Sequence, residues 1–231
     1  MKRIARWLMA LVGVTNIFSL ALCFSPIQSE AVAQDTQKVL IIPREGYSQD
    51  LDLMISKELN VMVAIVKEAG YQTTIATTSG MDIISPTTTI KPDLILSAVK
   101  IDDYAGIIMP CMAVGMYPGP PVSQETVSIV KQALAAGKPV AASVGSVIIL
   151  AEAGILKGKE YAYAGNPLET TAIRTITDSR FAGGVYKGVG VVQDGNIITS
   201  GACPYLAKRF NLRDCTSEIT NAFVASLSTK K

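Results

Sequence analysis

Hydrophobic positions along this chain fall into short solid runs separated by stretches with helical spacing, and the two kinds alternate. Lys38-Val39-Leu40-Ile41-Ile42-Pro43 is an apolar run bounded by polar residues, the pattern of a strand buried on both faces. Leu51, Ile55, Leu59, Met62, Val66 and Ala69 then recur at helical spacing, with Ser48 or Asp50 placed to cap that helix and Gly70 to stop it. Gln72–Thr77 reads as a second strand, which completes a strand-helix-strand unit with a right-handed crossover. Asp93–Ser97 is a weaker strand, and Ala105–Met109 a stronger one that ends at Pro110.

The stretch Cys111–Pro121 is rich in Gly and Pro and reads as a loop. Ser123 caps the next helix, with Glu125 in its first turn and Gly137 at its end. Pro139–Ala142 is a further strand, followed at once by a helix around Val147–Ala153. Val189–Val192 and Ile197–Thr199 flank Asp194-Gly195-Asn196, a hairpin connection. Thr216–Leu227 is a terminal amphipathic helix. Strands alternating with helices predict an α/β, flavodoxin-like three-layer sandwich: a mostly parallel central sheet with helices on both faces. Ligands in such folds sit at the carboxyl ends of the strands, so the loops after Pro43, Pro110 and Ala142 form the expected site.

The N-terminus has a different pattern. Lys2, Arg3 and Arg6 precede the apolar run Trp7–Phe24, and Ala31-Val32-Ala33 supplies small residues for cleavage. The expectation is a signal peptide over residues 1–33 and a domain over 34–231, exported to a periplasmic or extracellular setting. An uncleaved membrane anchor is the lesser alternative, because the run approaches the ~18 apolar residues that span a bilayer. Removing residues 1–33 leaves 18 of the 21 basic and 18 of the 19 acidic side chains, a neutral domain. That balance, with no basic cluster interleaved with aromatics, argues against nucleic acid as a partner.

Composition narrows the chemistry. The content is 49% hydrophobic but only 6% aromatic, which favours a core of Val, Ile and Ala over an aromatic binding surface. The chain contains no histidine, which excludes Ser-His-Asp and Cys-His catalysis and all histidine-based metal sites. No cofactor or metal is implied. Beyond residue 33 the cysteines are Cys111, Cys203 and Cys215. Cys203 and Cys215 are close enough in sequence to pair in an oxidising compartment, or both are buried thiols behaving as small apolar residues.

The stretch PVAASVGSVIILAEAGILKG, Pro139 to Gly158, closely resembles the nucleophile-elbow segment of the ThiJ/PfpI family, within the class I glutamine amidotransferase-like superfamily. KVLIIP, DDYAGIIMP and VVQDGNIITS add to the resemblance in the same order. By that resemblance the family's cysteine falls on Val144, its following histidine on Gly145, and its supporting glutamate near Ser48 or Gln49. Its P-G-G turn reads Pro110-Cys111-Met112. The resemblance therefore implies a protein without the family nucleophile, a homodimer, and a pocket that binds a small molecule or a partner.

The expected pocket comprises Glu45, Ser48, Asp50, Cys111, Met112, Val144, Gly145 and Ser146, with Met116 and Tyr117 either lining it or covering the core. Cys111 is the candidate for a relocated reactive thiol, in a hydrolase-, deglycase- or glyoxalase-like enzyme; the alternative is a packed thiol. Glu45 and Asp50 are either ligand contacts or, for Asp50, a helix cap, and Asp52 is expected to be solvated. Ser146 is expected to cap the helix it precedes; a serine nucleophile there would need a Lys or carboxylate base within ~3 Å. A β-branched residue at positive φ is strained by about 1–3 kcal/mol, so Val144 is expected to relax or to pass the turn to Gly145. Gly183-Gly184 and Gly188-Val189-Gly190 precede no helix and read as turns.

Overall fold

The computed structural model describes residues 37–114, 121–164 and 178–228. The signal segment expected over 1–33, and Met116 and Tyr117, lie outside the described residues.

In chain order the strands are β1 (Lys38–Ile41), β2 (Gln72–Thr77), β3 (Ile83–Ile84), β4 (Thr89–Ile90), β5 (Leu94–Ile95), β6 (Tyr104–Met109), β7 (Val140–Ser143), β8 (Glu160–Tyr161), β9 (Val185–Tyr186), β10 (Val191–Asp194) and β11 (Ile197–Ser200). The α-helices are α1 (Leu51–Met54), α2 (Asn60–Glu68), α3 (Gln124–Ala135), α4 (Val147–Glu152), α5 (Pro204–Phe210) and α6 (Thr216–Ser228). A π-helical turn, Ile55–Leu59, joins α1 to α2.

Seven strands form one sheet in the order β10-β11-β7-β6-β1-β2-β5. Every neighbouring pair is parallel except the β10/β11 hairpin at the edge. The flavodoxin-like α/β sandwich expected from the alternating pattern is the observed fold. The chain leaves β1 toward β2 on one side and returns to β6 on the other. The loops after β1 and β6 therefore part at the switch in strand order, where such sheets open a crevice.

Alternation along the strands sorts the core into two layers. Leu40, Ile107, Met109, Val140 and Ala142 face one side, packed with Val130 of α3 and Leu150 of α4. Val39, Ile41, Ile108 and Ala141 face the other, against Ile55, Leu59, Met62 and Val66 and against Ile219 and Phe223 of α6. The approach of α6 depends on Gly106. A Cβ there would lie 2.8 Å from the Pro139 carbonyl oxygen and 2.9 Å from the Phe223 ring.

Two helix starts follow their sequence signals. Asp50 accepts from the Leu53 N–H at 3.4 Å, and Ser123 from the Thr126 N–H at 3.3 Å. Asp93–Ser97, expected as a strand, forms only the two residues of β5 before a 3₁₀ turn over Leu96–Ala98 takes over. Gly183 and Gly188 sit at φ +83° and +108° and serve turns beside β9, as expected.

Candidate functional site

Three adjacent strands, β1, β6 and β7, deliver their following residues to one end of the sheet. Arg44 comes from the first loop, Cys111 to Ala113 from the second, and Val144 to Ser146 from the third. Cys111 follows β6 by two residues and is buried, 4% exposed. Its sulfur accepts from the Gly145 N–H at 3.4 Å and from the Ala113 N–H. Arg44, half-buried, donates from Nη1 to the Gly145 carbonyl at 3.1 Å and lies close enough to favour a negative sulfur. Gly145 is required at this contact: a Cβ would stand 2.9 Å from Arg44 Nη1 and 3.4 Å from Cys111 Sγ.

The thiol of Cys203, at the start of α5, hydrogen-bonds to the Cys111 sulfur and is the largest cause of the fall in Cys111 pKa to about 7. Two backbone donors and the guanidinium add to it, and burial opposes it. The same hydrogen bond, with burial, pushes Cys203 well above the ordinary thiol range. The pair is thus biased toward a proton on Cys203 and a negative charge on Cys111.

A carboxyl group completes the cluster. Glu58, on the π turn, is fully buried. Its Oε2 accepts from the Met112 N–H at 2.9 Å and its Oε1 from the Ser143 hydroxyl at 2.8 Å. Burial, reinforced by the negative charge of Cys111, raises its pKa to about 8 despite these donors. Both shifts act in the same direction, drawing the proton toward Glu58 and the negative charge toward Cys111. The position expected for the family glutamate, near Ser48 or Gln49, is corrected: a glutamate does reach the site, from nine or ten residues further along, at Glu58. The available signal was the spacing of Glu58: four residues after buried Met54 and four before buried Met62, on the inward stripe of its helix.

Val144 adopts φ +43°, and Gly145 does not take over the positive angle. The expectation of a relaxed Val144 is therefore wrong. The turn is fixed from three sides: Gly145 N–H on Cys111, Arg44 on the Gly145 carbonyl, and the Ser146 hydroxyl on the Pro110 carbonyl at 2.7 Å. The Val144 side chain packs among Met54, Cys111, Ala113, Ala164, Cys203 and Leu206. Met112 and Ala113 also stand at positive φ, +57° and +47°. Three of the four non-glycine residues at positive φ among the described residues thus surround Cys111, each storing on the order of 1–3 kcal/mol.

Replacing Val144 with Gly should remove that strain while losing about 1.5–3 kcal/mol of burial. We expect Val144→Gly to cost about 1–2 kcal/mol less than Val140→Gly in β7, by urea denaturation. Equal losses would mean the turn is unstrained.

The remaining expected pocket residues divide. Met112 belongs to the site through its N–H on Glu58. The Ser48 hydroxyl donates to the Met112 carbonyl at 2.7 Å and braces the loop from behind. Ser146 binds Pro110 and makes no side-chain cap, which corrects that expectation. Glu45 is turned away: its carboxylate accepts from the Thr78 and Ser79 N–H groups, at 2.6 and 3.2 Å, and holds the turn after β2. Asp50 caps α1 and pairs with Lys208 of α5 at 3.1 Å. Asp52 is not free in solvent, since it accepts from Ser85 and from the Thr87 hydroxyl and N–H, which lowers its pKa.

Cys203 and Cys215 are not bonded to each other. The Cys215 sulfur faces the Val189 and Arg213 carbonyls, while Cys203 meets Cys111. Ser200, last in β11 and in register with Ser143, keeps a buried hydroxyl with no partner among the described residues.

A sequence model of the DJ-1/PfpI family matches residues 37–213. The chain belongs to that family. An uncharacterized protein of Methanocaldococcus jannaschii is 27% identical over 92% of this chain and 95% of its own. A protein named a deglycase, from Thermococcus kodakarensis, is 28% identical over 71% of this chain and 89% of its own. An uncharacterized Archaeoglobus fulgidus protein is 37% identical, over 48% of this chain and 60% of its own length. Among solved structures, a ThiJ/PfpI domain protein from Brachyspira murdochii superposes with a TM-score of 0.62 at 19% identity, covering 85% of this chain and 99% of that one. Drosophila melanogaster DJ-1beta superposes at 0.52 and 21% identity, covering 84% and 98%. At such identities the structures share the DJ-1/PfpI fold alone. In this chain the turn after β7 carries the aliphatic Val144, and the Cys111 sulfur beside it arrives from the neighbouring loop.

Proposed function

We propose that this DJ-1/PfpI protein acts on small reactive carbonyl compounds, with Cys111 as nucleophile and Glu58 as proton donor. The observation that carries this reading is the placement of the Cys111 sulfur, held by the Gly145 N–H, beside a fully buried carboxyl, Glu58, that accepts from the Met112 N–H and the Ser143 hydroxyl. The Cys111 thiolate adds to the carbonyl carbon, a carbon–sulfur bond forms, and the π pair moves to oxygen. That oxygen takes the Glu58 proton, giving a hemithioacetal. A histidine is unnecessary, because the buried Glu58 carboxyl, its pKa raised to about 8, can supply the proton. The deglycase name of the Thermococcus kodakarensis relative favours the same substrate class.

A second reading keeps the pocket without turnover. Val144 favours it, because the turn after β7 presents an aliphatic side chain and no nucleophile. Incubation with a 1,2-dicarbonyl, followed by intact-protein mass under native conditions and assay of the free dicarbonyl, separates the two. The proposal expects a mass gain of one dicarbonyl that Cys111→Ser loses, and loss of free dicarbonyl over time. Binding without adduct or consumption would leave the second reading.

A further inference from the structure

Cys111 and Cys203 are 92 residues apart in sequence, yet their sulfurs meet within one apolar cluster with Met54, Val144 and Leu206. The carbonyl chemistry proposed above uses only the first of them. A buried cysteine that merely filled space would need neither a hydrogen bond to another sulfur nor a guanidinium beside its partner. The arrangement is that of an attacking thiolate backed by a protonated second thiol, the division of labour in thiol–disulfide chemistry. Cys215 takes no part, its sulfur facing the Val189 and Arg213 carbonyls.

We propose that Cys111 reduces small hydroperoxides, with Cys203 as the resolving thiol, and that the two close an intramolecular disulfide. The inference rests on Cys111 being the reactive thiol of the site. Burial selects the oxidant: with Cys111 only 4% exposed, a protein disulfide is too large to reach it, which leaves an oxidant as small as a hydroperoxide. In the first step the Cys111 sulfur forms a bond to one peroxide oxygen and the O–O bond breaks. The leaving alkoxide or hydroxide takes the Glu58 proton, so sulfur is oxidised to sulfenic acid and the peroxide is reduced to an alcohol or water. In the second step the Cys203 sulfur attacks Cys111, the S–S bond forms, and hydroxide departs with the Cys203 proton as water. An added small-molecule dithiol restores both thiols.

The test is a titration of the folded protein with hydrogen peroxide, read by intact mass and by peptide mapping without reduction. Wild type and Cys215→Ser should both lose two hydrogens and yield a Cys111–Cys203 cross-linked peptide, which dithiothreitol dissolves. Cys203→Ser should instead gain oxygen on Cys111. If Cys203→Ser fails to fold, the cross-linked peptide in wild type still decides. Oxygen gained on Cys111 of wild type with no cross-link would overturn the inference while leaving Cys111 as the reactive thiol. A Cys111 unmodified at excess peroxide, or a cross-link to Cys215, would overturn it as well; the unmodified case would also undercut the carbonyl reading.

Discussion

Glu58→Gln is expected to flatten the dependence of stability on pH, and to do so most between pH 4.5 and 8. In the folded protein Glu58 is raised from 4.5 to about 8, so the folded state holds a proton that the unfolded chain has released. A group shifted in that direction favours folding at low pH and loses that contribution as pH rises through the folded value. At 1.36 kcal/mol per unit, the wild type should lose up to about 5 kcal/mol across this window from Glu58 alone. Cys111 acts with the opposite sign. Its pKa falls from 9.0 to about 7, so its contribution is present above pH 9 and is lost as pH falls through 7. The wild-type profile should therefore decline from pH 5, level between 7 and 8, and recover toward 9. Urea denaturation at these pH values distinguishes the cases, because the amide introduced by Glu58→Gln keeps an acceptor for the Met112 N–H but carries no titrating proton. Parallel profiles for wild type and variant would mean that Glu58 is ionised throughout.

The second large effect is on reactivity. Cys111→Ser should lower reaction with a 1,2-dicarbonyl at least about a hundredfold, because a serine hydroxyl at this position has no base to ionise it. Cys215→Ser should react as the wild type does, since that sulfur lies outside the cluster. Time courses of dicarbonyl loss at pH 7.5 would measure both. Unchanged consumption in Cys111→Ser would place the chemistry elsewhere.

Much of the fold was legible because its strands are buried on both faces. Solid apolar runs such as Val39–Ile42 and Ile107–Met109 cannot be accommodated otherwise, and β2 fell on its expected bounds. The two-residue strands β3, β4, β8 and β9 left no such trace, because a run that short carries no period. Helix α5 went unread although Pro204 stands in its first turn, since Cys203 offers no ordinary cap.

The site was half legible. Its loops and Cys111 followed from strand ends and resemblance, whereas Glu58 was hidden in a helical stripe and Cys203 by long sequence separation. Val144 was misjudged because its strain was weighed without the hydrogen bonds around Gly145 and Ser146, which a sequence does not display.

Whether charge is stored on the sulfur next to the elbow can be read directly from the rate of iodoacetamide labelling at Cys111 as a function of pH, resolved by peptide mass. Half-maximal labelling near pH 7, with Cys111 modified ahead of Cys203 and Cys215, is the expected result. A midpoint at or above 9, or Cys215 labelled first, would contradict the assignment of Cys111 as the reactive centre.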